Sequence, residues 1–318
     1  MQARVDGDSI RIGGFSVSFM RTLRIPDDGS TYSLPPGLGT FPIFRVRDYL
    51  GKVPASWRQR GGVFIPMYQR EAMWLSFNTG RWPACAVKIG VGKVNAVTGD
   101  PWDETLHRRP QDYLVCPDQP WLDGIKAGEG TIRQFVAMPL GMGYTVEGQV
   151  TGKEEWGGLQ IKVFAPRREF FGRLETRTMM HSDAVCCCCE GMGLAAGGMM
   201  AQKLYRDPYG LKAWDPETSG RLFVHIVNSQ DFRDITGLEP PATPVSARLY
   251  TELGLPWFGL SDDDKEDLPP SATLAAVKSV KGVDEAKGFA PQQDDAPVAV
   301  PTGQVVGIPG GDIADGSW

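Results

Sequence analysis

The residues best suited to chemistry lie in one short stretch. Cys186, Cys187, Cys188 and Cys189 are consecutive, Met179, Met180 and His181 precede them, and Glu190 is the lone charge in AVCCCCEGMGLAAGGMMA, residues 184–201. Thiolate, thioether and imidazole ligands select Cu(I) or Zn(II), which makes His181 with Cys186, Cys187, Cys188 and Cys189 a candidate soft-metal or redox centre. The spacing fits zinc poorly, because structural zinc takes cysteine pairs set apart on a reversing turn. Adjacent residues instead point to opposite sides of a strand, or are spread by ~100° on a helix. A disulfide between neighbours would strain the backbone. The bland alternative is dense packing, since free cysteine is among the most buried residue types.

Gly193 and Gly197 add a GxxxG spacing that lets another backbone approach closely, inside the protein or in a second copy of it. Gly191, Gly193, Gly197 and Gly198 would each cost ~1 kcal/mol in a helix, so residues 166–205 predict an irregular or broken helical segment.

No other motif is complete. Gly90-Val91-Gly92-Lys93 and Gly141-Met142-Gly143 lack the G-x-G-x-x-G or G-x-x-x-x-G-K-[ST] context of a nucleotide loop and sit in alternating strand text. The imidazole bases are His107, His181 and His225, of which His225 alternates within an apolar strand and reads as a core histidine. Cys116 with Asp118 and Asp123 offers a nucleophile and carboxylates without assigning a histidine to them. Glu129, Glu147, Glu154 and Glu155 add carboxylates of the kind any surface carries. An enzyme therefore has no direct support.

These residues need a frame. The chain has 318 residues, 42% of them hydrophobic and 10% aromatic, enough for a substantial core. From residue 9 to 166, short alternating runs such as SIRIGGFSVSF, ACAVKIGVGKV and GLQIKVFAP are separated by Gly, Pro, Asp or Asn, the punctuation of strands. Tyr144–Val150 and Leu159–Phe164 read as a hairpin. Arg221–Asn228 predicts a further strand, Ser229–Thr236 a short helix ended by Gly237, and the segment before Gly254 and Pro256 a proline-opened helix. The fold expected is mainly β, sandwich or barrel-like, with a smaller α-containing part and an extended acidic tail. Its divisions are a β-rich body over 1–166, a mixed part over 167–258 and the tail over 259–318.

Charge separates the tail from the rest. Residues 262–318 hold eleven acids against four lysines, a net of −7, and the whole chain is −5, which leaves +2 for the body. Without a Lys/Arg block the sequence offers no footprint for nucleic acid. No run reaches the roughly 20 apolar residues of a membrane-spanning helix. The N-terminus has no positive leader before an apolar run, and the cysteines lack the spacing of a disulfide framework, so a cytoplasmic, reducing environment is expected.

Contacts with partners are expected at aromatic loops and in the tail. Trp82, Trp102 and Trp121 each adjoin proline, which puts them at turns or loop edges, where tryptophan caps a core or binds protein or carbohydrate. Val298 and Val300, then Val305, Val306 and Ile308, form short extended apolar patches before the terminal Trp318. Alone in water such a tail would be disordered, and it suits strand addition to a sheet edge.

The residues DQPWLDG (118–124), IRQFVAMPLGMGYTVEGQ (132–149), GRLFVHIVNS (220–229) and GLPWF (254–258), with Asp207-Pro208-Tyr209-Gly210, resemble an uncharacterised protein family. The resemblance implies no activity and carries over no functional residue. The residues themselves point to a non-enzymatic binding or structural protein that self-assembles into a homo-oligomer through sheet edges, aromatic loops and tail. The alternatives are a Cu or Zn redox protein centred on Cys186–Cys189 and a carbohydrate-binding β-sandwich.

Overall fold

The computed structural model describes residues 1–80, 82–171, 191–259, 265–290 and 292–307. It is 39% strand and 19% helix, so the mainly β expectation holds. One set of strands runs Ala3–Asp6, Ser9–Ile12, Phe15–Thr22, Ala72–Asn78, Thr131–Pro139 and Met192–Ala201, each antiparallel to the next. A second set is Cys85–Val91, Leu159–Pro166 and Trp214–Val227, again antiparallel, with Val63–Pro66 parallel to the last. Pairing of Met192 with Ile226 joins the two sets.

Alternation explains why these strands form a core. Ile10, Ile12, Phe15, Val17 and Phe19 from the first set meet Val87, Ile89, Ile161, Val163, Leu222 and Val224 from the second in one buried cluster. With a side-chain period of 2, every second residue of the second set points the other way.

Two local expectations fail for identifiable reasons. The small-residue stretch is a ten-residue strand, Met192–Ala201, rather than broken helix. Its glycines serve close packing across the sheet: a Cβ on Gly198 would stand 2.2 Å from the Pro26 carbonyl oxygen. Residues 144–150 alternate like a strand, yet Val146–Thr151 is helical. Thr145 caps it by accepting the Gly148 N–H at 3.0 Å, and Gly152 closes it in the left-handed region. The helix Ser229–Thr236 ends at Gly237 as expected, and the helix Ala247–Glu252 forms before Gly254 but is opened by Ser246, which accepts the Leu249 N–H, rather than by a proline.

The described part of the tail lies on the body. The Lys126 ammonium, fully buried, pairs with Asp267, Arg70 donates to Asp284 at 2.9 Å, and Arg24 pairs with Asp295. Leu268, Leu274, Val277, Val280 and Val283 enter the core clusters, and Val305–Gly307 pairs in parallel with Trp257–Gly259. Composition alone predicts disorder because it does not reveal that the tail's acids meet buried cations. Among the described residues, no helix is long and apolar enough to cross a membrane.

Candidate functional site

The outer face of Cys85–Val91, Leu159–Pro166 and Trp214–Val227 is built in rungs. Lys88, Lys162 and Arg221 are register partners, a row of three cations across three strands. Like charges directly opposite each other destabilise a sheet, so the row needs acids. The loop after residue 101 supplies them: Lys88 Nζ lies 3.0 Å from Asp103 and 2.6 Å from Asp112, and Lys162 Nζ lies 2.9 Å from Glu104. Burial raises the Asp103 pKa, but hydrogen bonds from Thr105 and the Lys88 ammonium outweigh it and bring the carboxyl down to about 2.

The next rung is Gly90, Gln160 and Phe223. Gly90 is required there because the Trp102 ring lies against the strand: a Cβ would be 2.6 Å from the indole. Above this rung the strand reverses through Gly92 (φ 55°) and Lys93 (φ 64°), the two positive values of a type I′ hairpin turn. Lysine in that region is uncommon. Its N–H donates to Gln160 Oε1 at 2.6 Å, and its ammonium lies 5.6 Å from the Trp102 ring centre and 5.1 Å from that of Trp156.

Arg60 covers Trp156 from 4.3 Å while donating to the carbonyls of Glu155 and Trp156. Behind them Trp57, His225 and Phe223 form a ladder with ring centres 4.3 and 4.4 Å apart. His225 Nε2 lies 3.0 Å from the Gly61 carbonyl, which only accepts, so Nε2 carries the proton. Burial pushes this histidine down to about 3 and keeps it neutral.

Lys93, Trp102, Trp156, Gln160, Arg221 and Phe223 floor a cleft of about 1150 Å³ whose other walls are the Ala3–Asp6 strand with its turn, the segment 45–50 and the end of helix Ala55–Arg60. Arg4, Arg45, Arg47, Arg58, Arg60, Lys93 and Arg221 line it, against the carboxylates Asp6 and Glu104, seven cations to two acids. Arg45 and Arg47 approach Asp48. Arg58 and Arg60 donate to carbonyl oxygens, which carry no net charge. Burial lowers the Lys93 pKa, and Arg221 and Arg60 push it further down against the opposing pull of Glu104. An arriving anion would relieve that repulsion.

The residues singled out in the sequence are dispersed. His181, Cys186, Cys187, Cys188 and Cys189 lie outside the described residues, as do Ile308 and Trp318. Trp102 lines the cleft. Trp82 covers the turn at Gly13 and Gly14. Trp121, Val298, Val300 and Val305 pack against one buried cluster of their own chain, which includes Tyr32 and Trp257, and Val306 is exposed. Cys116 donates to the Gln119 carbonyl at 3.2 Å. Asp123 is fully buried, and burial pushes it up to about 7 despite hydrogen bonds from Trp121 and Gln202. The sequence did not single out Arg60, Lys93, Phe223 or Arg221 for binding. The available signals were the turn at Gly92-Lys93 and the odd-numbered row Arg221, Phe223, His225.

Among the described residues, one His and carboxylate group is compact enough for a metal ion: Asp103, His107 and Asp112. The Lys88 ammonium, bonded to both carboxylates and to the Thr105 carbonyl, already supplies the positive charge there. Comparison with protein-family models, curated proteins and solved structures finds no match to this chain.

Proposed function

We propose that this protein is a binding protein whose cleft takes a short anionic ligand built of rings, with acidic oligosaccharides as the ligand class. The observation that carries the reading is Lys93, held in a left-handed turn with its ammonium near two indoles and beside Arg60 and Arg221. Flat rings stack on tryptophan, and arginine pairs bidentately with carboxylate or sulfate. The cations come from positions 4 to 221 and are local to one cleft, while the whole molecule is −5. That balance suits a short ligand better than a long polyphosphate, whose binding proteins present extended basic faces.

Tryptophan fluorescence tests the reading. Titration with a sulfated oligosaccharide should quench emission saturably, weaken with salt, and lose at least tenfold in affinity in Arg60→Ala. A neutral oligosaccharide of equal length binding as well would argue against it.

A second reading, self-assembly into a homo-oligomer, is favoured by the exposed side chains Leu249, Leu253, Leu255 and Val306. Light scattering tests it: a dimer or larger particle that dissociates in Leu249→Glu supports it, and a monomer of the wild type rejects it. In this reading Val298, Val300 and Val305 would reach a neighbour only by leaving their own chain's cluster.

A further inference from the structure

The two described cysteines are paired in a way the sequence does not announce. Cys85 opens the strand Cys85–Val91, Cys116 closes the strand Leu114–Cys116, and the antiparallel register sets them directly opposite each other. Opposite residues of antiparallel strands have Cα atoms ~4.5–5.5 Å apart, inside the ~4.4–6.8 Å range of disulfides. Both side chains face the core and neither has solvent exposure. Both are free thiols: Cys116 donates to the Gln119 carbonyl at 3.2 Å, and burial, with the neighbouring Cys85, pushes the Cys116 thiol up.

We propose that Cys85 and Cys116 form an intrachain disulfide when this chain folds in the presence of a disulfide oxidant, a bond that staples the neck of segment 86–115. That segment carries Lys88, Gly90, Lys93, Trp102, Glu104 and Asp112. The inference goes beyond the ligand reading and does not depend on it.

With oxidised glutathione the chemistry balances. One cysteine thiolate attacks the glutathione disulfide and expels a glutathione thiolate. The second cysteine thiolate then attacks the protein sulfur of the mixed disulfide and expels the other. Two electrons pass from the cysteines to glutathione, and their two protons end on the two glutathione thiols. Burial in the folded state determines when this happens: exchange precedes closure of the core, and afterwards the bond is shielded from reductant.

The test refolds the reduced, denatured full-length chain in a glutathione couple, followed by alkylation and peptide mapping. The expected product is a peptide joined through Cys85 and Cys116. Its bond should survive dithiothreitol in buffer and be lost in denaturant, and its urea midpoint should exceed that of chain refolded with reductant. Recovery of Cys85 and Cys116 as separate alkylated peptides, or each joined to the 186–189 run, overturns the proposal. Serine replacement of Cys186, Cys187, Cys188 and Cys189 removes the competing thiols and is read by the same outcomes. Where that variant does not refold, folded wild-type protein treated with diamide in sub-denaturing urea gives the second measurement. A joined peptide supports the proposal and two alkylatable thiols reject it.

Discussion

The junction between tail and body and the cleft on the outer sheet face are both rich in charge, and they treat it differently. At the junction the cations Lys126, Arg70 and Arg24 are matched one to one by Asp267, Asp284 and Asp295, all largely removed from water. In the cleft Arg45 and Arg47 share the one carboxylate of Asp48, Arg221 lies 3.8 Å from Glu104, and Arg58, Arg60 and Lys93 are held by carbonyls or aromatic rings. Matched buried charges fix one arrangement of the chain, and removing one partner strands the other. Surplus charge beside aromatic rings leaves a place for something that is not part of the chain. The first pattern fixes architecture, and in the function proposed here the second serves recognition.

The largest expected effect comes from the ring ladder behind the cleft. His225 has a folded pKa of about 3, below its unfolded value, so the unfolded chain takes the proton first. Stability is therefore lost as pH falls from about 6.5 toward 3, at up to about 1.4 kcal/mol per pH unit and roughly 5 kcal/mol in all. Urea unfolding of wild type and His225→Phe between pH 7 and pH 4 checks this. The variant should gain on the wild type as pH drops, and parallel curves would show that His225 does not titrate this way.

Next in size is the junction. Asp284→Ala removes the acceptor for both Arg70 and the Tyr144 hydroxyl, the latter at 2.6 Å, and should cost about 3–5 kcal/mol in urea unfolding at pH 7. Ligand affinity at the cleft should stay within about twofold, because none of these groups lines it. A loss below about 1 kcal/mol would mean that the tail is not fixed by matched charge.

Strands were legible because burial on one face imposes a period of 2, as in Leu159, Ile161 and Val163 against Gln160 and Lys162. The helix stop was legible at Gly237, where a left-handed backbone position suits glycine, whereas Asn228, read as the end of a strand, also caps the helix that follows. The helix at Val146 was not, because over a few residues a capped turn and a strand share the same alternation. The cleft was hidden for another reason. Its cations come from the first strand, the segment 45–60, a hairpin tip and strand Trp214–Val227, and only the pairing of distant strands gathers them. Absence of a basic block in the sequence is thus compatible with a strongly cationic surface.

The smallest effect on stability should accompany a large one on binding. Lys93→Gly relieves a side chain from a left-handed position, so stability should be unchanged or rise by up to about 1 kcal/mol. Affinity for an anionic ligand should fall at least tenfold. Destabilisation by more than about 1 kcal/mol would assign Lys93 to architecture instead.

One titration tests the recognition claim most directly: wild-type and Lys93→Gly protein, each with a sulfated and a neutral oligosaccharide of the same length, followed by tryptophan emission at two salt concentrations. Saturable, salt-sensitive quenching by the sulfated ligand in wild type alone is the predicted result. Equal responses to both ligands, or an unchanged response in Lys93→Gly, would contradict it.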